Sequence, residues 1–188
     1  MIRCTWTICR LLACGLLGCC LWAPITAAPA GEKPQTKAAQ GEPAMDPMMA
    51  EMMKYANPGP EHEILKGFVG SWKTSTKSWM GPGEPQVSEG TAEVTMILGG
   101  RYAKEELSST FGGEPFHGMG LTGYDLMKKE YVGSWVDSMS TSLMVSHGQY
   151  DAAAKQFAAT AAYTDPMTMK EKSMRMVTKI IDGNKHVS

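Results

Sequence analysis

The spacing of apolar and polar positions changes character once along this chain. From residue 70 onward, apolar and polar side chains alternate in segments of roughly ten residues, separated by breaks rich in glycine, proline, aspartate and asparagine. The breaks are Gly81-Pro82-Gly83, Gly99-Gly100, Gly112-Gly113, Asp125–Lys129, a stretch near Asp151, Asp165-Pro166 and Asp182-Gly183-Asn184. This pattern predicts strands near 70–79, 87–98, 101–111, 115–124, 130–138, 141–149, 156–164 and 172–181. Short strands at even spacing indicate a sandwich or an up-and-down barrel. His186-Val187-Ser188 restarts a strand, so the expectation is a β domain over 61–188 whose last strand or strands are missing.

Upstream the period is helical. Met45, Met48, Met49, Met52 and Met53 fall at i, i+3, i+4, i+7 and i+8 behind Asp46 and Pro47, a capping residue and a first-turn residue. A helix over 45–56 is predicted, with its methionine stripe docked on the domain as a clip or lid. A competing reading takes the thioethers as soft ligands for Cu(I). One or two further helical turns are predicted at 61–66. Residues 31–44 are polar and short of large apolar groups, which reads as a flexible linker continuing to residue 60 around the Met-rich helix. Residues 1–30 have the order of a signal peptide: Arg3 and Arg10, a short apolar run, then Ala28-Pro29-Ala30. Export to a periplasmic or extracellular compartment is expected, with a lipid anchor at Cys19 as the alternative.

All five cysteines lie at or before residue 20. The mature chain is therefore expected to lack disulfides, thiolate metal sites and iron–sulfur clusters. Removing the leader takes Arg3 and Arg10 from the eighteen lysines and arginines and no acid from the nineteen aspartates and glutamates. No basic cluster remains to track a phosphate backbone, so no nucleic-acid partner is expected, and no transmembrane segment in the mature chain.

"FVGSW" at 68–72 recurs as "YVGSW" at 131–135. A Gly-x-Trp heading the first strand after a short helical turn resembles the lipocalin and wider calycin signature, which implies Trp72 at a closed barrel end. "GPEHEILKGFVGSW" (59–72), "LGGRYAKEE" (98–106), "GMGLTGYD" (118–125) and "YVGSWVDSMST" (131–141) together resemble the domain-of-unknown-function family 1579 over about residues 58–188. The resemblance implies an all-β, calycin/lipocalin-like antiparallel up-and-down barrel with short N-terminal helices, and no established activity.

Strand alternation places Tyr131, Gly133, Trp135, Asp137 and Met139 on one face. If that face is internal, Asp137 needs a partner, and Arg101, Arg175 and Tyr124 are the candidates. One expectation is an internal Arg–carboxylate network; another is a ligand site with Trp72, Trp135 and Tyr124 as walls and Asp137 and Arg101 as polar floor, Arg175 in support. Glu105 and Glu106 point to opposite faces. His62-Glu63 begins a zincin-like motif, but Lys66 stands at the second ligand position. No G-x-S-x-G elbow occurs, and nothing local couples His117 or His147 to a nucleophile. No catalytic residue, cofactor or metal site is therefore expected. The functional expectation is an exported small barrel binding an apolar or amphipathic molecule in its interior. The alternatives are an enzyme of unknown class, hydrolysis being one option, using the same cavity, and a solid-core structural or interaction protein.

Overall fold

The computed structural model describes residues 5–6, 9–10, 45–79 and 81–188. Apart from two short segments, the expected leader and the first part of the linker lie outside the described residues. The elements are β1 (Thr5–Trp6), β2 (Cys9–Arg10), α1 (Pro47–Met53), α2 (Pro60–Leu65) with a 3-10 turn over Lys66–Phe68, β3 (Gly70–Ser78), β4 (Gln86–Ile97), β5 (Tyr102–Phe111), β6 (Glu114–Asp125), β7 (Glu130–Asp137), β8 (Met144–Asp151), β9 (Gln156–Asp165), β10 (Lys170–Asp182) and β11 (Lys185–Val187). Each predicted segment is a strand, with bounds differing by at most three residues. The strands β3 to β11 pair antiparallel in sequence order. The result is a curled half-barrel of nine strands. β1 and β2 add two short pairings to the outer edge of β3.

Local chemistry explains the hairpins. Gly112 and Gly113, at φ 61° and 90°, form the two-residue connection between β5 and β6; glycine adopts such angles at no steric cost, and they match the twist of the flanking strands. The next connections share a different device. Asp125, Asp151 and Asp165 each accept hydrogen bonds through Oδ1 from the backbone N–H groups two and three residues on. The fourth residue after each aspartate, Lys129, Lys155 or Met169, takes a positive φ. An aspartate carboxylate thus replaces the missing backbone partners of the turn and tightens three of the hairpins.

Pair registers define the concave face. Trp72, Ala92, Val94, Ala103, Leu107 and Tyr131 are buried on it, together with Leu65 of α2. One end of the curl is closed by rings in succession: His62, Tyr124, Tyr131, Phe157, Phe68, His186 and Trp72, with neighbouring centroids 4.5 to 6.1 Å apart. Edge-to-face pairs of this kind add about 0.5–1.5 kcal/mol each beyond their area. α2 lies against β5 and β6 at this end.

α1 forms, but shorter than predicted, and its stripe is not docked. No residue of the helix is buried, and all five methionines are at least 43 % exposed. The docked-lid expectation is therefore corrected. The helix is held instead by its own cap, Asp46 Oδ1 accepting from Met48 N and Met49 N, and by the Glu51–Lys54 ion pair. Met139 also departs from expectation: β7 ends at Asp137, and Met139 is exposed in the following turn.

Candidate functional site

The two GSW copies do different work. Trp72 is buried near the start of β3, its Nε1 donating to Phe68 O at 2.7 Å, and so helps seal the closed end. Trp135 sits on the concave face near the end of β7 and is only half-buried. Its indole lies flat over β6, where Gly118 and Gly120 leave space: a Cβ on Gly118 would stand 2.2 Å from Trp135 Cζ2, and one on Gly120 3.1 Å from Cε3. The glycines of "GMGLTG" are therefore a bed for this ring. Its Nε1 donates to Asp137 Oδ2 at 3.0 Å, while Asp137 Oδ1 accepts from Met139 N at 2.9 Å.

Phe116, Trp135, Tyr150 and Phe157 are half-buried aromatic walls of the trough. Met144, Met174 and Met176 share the face through the β7–β8 and β9–β10 registers. Thioether side chains adapt to the shape of a bound molecule better than branched ones. Glu105 opposes Gly120, beside Trp135 and between Ala103 and Leu107. Burial pushes its carboxyl up from the ordinary range. On β3 and β11, Thr74 Oγ1, Thr76 Oγ1 and both His186 ring nitrogens are buried without a hydrogen-bond partner among the described residues. Such groups cost about 1–3 kcal/mol each when left unmade.

The expected union of Arg101 with Asp137 does not form. Arg101 lies in the β4–β5 turn, where Nε donates to Ala56 O at 2.9 Å, Nη2 bonds the same oxygen, and Nη1 donates to Leu98 O at 2.9 Å. β5 and β7 run the same way, so the turn before β5 and the last residue of β7 stand at opposite ends of the sheet. Arg175 is exposed, its register with Thr160 placing it on the convex face. The internal Arg–carboxylate network is thus corrected: the concave face carries Glu105 and Asp137 without either arginine. Glu106, on the other face as expected, pairs with Lys104 at 2.8 Å.

Arg101 and Tyr124 instead share the lining of one cleft. With Tyr55, Asn57, His62 and Tyr102 they line a polar cleft of about 80 Å³. Residues from three of the four motif stretches, 59–72, 98–106 and 118–125, converge there. His62 is no metal ligand in waiting: its Nδ1 accepts from Gly59 N at 3.0 Å and caps α2. Below it, Tyr131 Oη donates to Glu61 O at 2.9 Å. Burial first, then the nearby Glu61, Tyr124 and Tyr150, push the Tyr131 phenol up to about 12. His117 and His147 are exposed, facing Ser108 and Glu130 respectively. Among the described residues no group of three or more His, Cys, Asp or Glu side chains is arranged to hold a metal, and no helix is long and apolar enough to cross a membrane.

Sequence reasoning passed over His186 and the paired threonines. Their signal was faint: a histidine in a three-residue strand, and the alternation of Trp72, Thr74 and Thr76 on one face. A protein-family model described as "Protein of unknown function (DUF1579)" matches residues 57–188. No curated protein and no solved structure matches the chain.

Proposed function

The chain belongs to the DUF1579 family of proteins of unknown function, and we propose that it is an exported binding protein whose concave face holds a small apolar or amphipathic molecule. The observation that carries this reading is the half-buried Trp135 ring, laid on the glycines of β6 and sharing the concave face with half-buried Phe116 and Tyr150. An apolar body packs on Trp135, Phe116 and the methionines. Trough carboxylates at Glu105 and Asp137, with no arginine beside them, favour a neutral or cationic head group over an anionic one.

Native mass spectrometry of the chain recovered from its own host tests this, followed by titration with a long-chain fatty alcohol read by tryptophan fluorescence. The expected result is an extra mass lost on denaturation, and saturable alcohol binding weakened about tenfold, or 1.4 kcal/mol, by Trp135→Ala. A bare polypeptide mass with no saturable response to the alcohol would overturn the reading.

A further inference from the structure

We infer that the exposed methionine face of α1 is a site for a soft monovalent cation, Cu(I). The expected reason for five methionines on one face was burial, and the structure removes it, since none of them is buried. From 45 to 54 the stripe contains no Leu, Ile, Val or Phe, so an apolar docking face built from the residues that pack best is not what the chain presents. What it presents is sulfur.

Met48, Met49 and Met52 fall within one side of the helix and Met45 stands just before its Asp46 cap; within the helix, neighbours at i+3 and i+4 have Cβ atoms about 5–6 Å apart. The side chain is unbranched with three rotatable bonds, so three thioethers from adjacent turns can converge on one ion. Soft sulfur ligands select Cu(I) over hard cations. The oxygen donors nearby already have partners: Asp46 Oδ1 caps the helix and Glu51 is paired with Lys54. Thioether sulfur, not oxygen, is thus the donor this face offers most, and a soft ion prefers it. Asp46 and Glu51 still contribute negative potential beside the site.

The test uses the full chain with all five cysteines, Cys4, Cys9, Cys14, Cys19 and Cys20, replaced by serine, so that thiolates do not compete. Cu(I), held reduced under anaerobic conditions, is titrated against a chromophoric Cu(I) chelator. The expected result is withdrawal of one equivalent of Cu(I), with Met methyl NMR shifts confined to residues 45–53. Replacing Met45, Met48, Met49 and Met52 together by leucine keeps the apolar face and removes the sulfur. That variant is expected to bind Cu(I) at least tenfold more weakly with an unchanged melting midpoint. Failure of the parent to compete with the chelator overturns the inference. Equal competition by the leucine variant also overturns it, assigning the copper to methionines elsewhere, and binding of an apolar partner that survives the leucine changes would mark the face as a docking surface instead.

Discussion

Trp72 on β3 and His186 on β11 meet edge to face, their ring centroids 4.7 Å apart and their planes at 66°. The contact joins β3 to the short last strand β11 across the curl. His186 also stacks on Phe68 at 4.5 Å, and neither of its ring nitrogens has a hydrogen-bond partner among the described residues. A neutral imidazole fits such a place far better than an imidazolium. Burial holds its pKa below the ordinary value, against the Asp182 carboxylate, which favours the proton.

Acid stability follows from that ring. As pH falls through about 6.5, His186 in the unfolded chain takes a proton that the folded chain refuses. The unfolded state then binds more protons, so stability falls with falling pH, by up to about 1.4 kcal/mol per unit, until the folded-state pKa is reached. His186→Phe keeps the stacked ring and removes the titration. Urea unfolding at pH 7.5 and 5.5 is expected to show the acid loss reduced in the variant. Equal losses in both proteins would assign the acid sensitivity to other groups.

The bed under Trp135 gives a second prediction. Gly118→Ala sets a methyl against the indole, which must tilt or shift. A loss of about 1–3 kcal/mol is expected for overpacking, with an altered tryptophan emission. Gly67→Ala, where an added Cβ meets nothing within 4 Å, is the control and is expected to leave stability nearly unchanged. If both variants melt alike, the glycines are not there to seat the ring.

Arg101 anchors the stretch between the two helices through Ala56 O. Arg101→Met retains much of the stem and removes these charge-assisted bonds, each worth about 1.5–3 kcal/mol at most in partly buried surroundings. Faster tryptic cleavage after Lys54 is expected, with the β-sheet's melting only modestly lowered. An unchanged cleavage rate would show that α2 alone holds the segment.

Much of this architecture was legible in the residues. Strand positions, hairpin breaks and the second short helix could be read because each depends on neighbours close in sequence: the period of two, Gly112-Gly113, the aspartate turns. The separation of Arg101 from Asp137 was legible too, through strand parity, since odd-numbered steps along a meander run the same way and place one residue before a strand and the other at a strand's end. Pairing them by charge alone overlooked that constraint. The Met stripe misled for a different reason. Helical periodicity shows that side chains share a face, not that a surface exists to receive them.

The sequence by itself determined that the domain is an antiparallel meander and where its strands turn, because those features are set by local backbone chemistry and side-chain alternation. Only the tertiary structure decided which groups the concave face gathers. His186 reaches Trp72, Trp135 lies across the glycines of β6, and Glu105 rather than Arg101 lines the trough. These placements depend on how far the sheet curls and which strand ends meet, quantities summed over many residues that no single segment of the chain encodes.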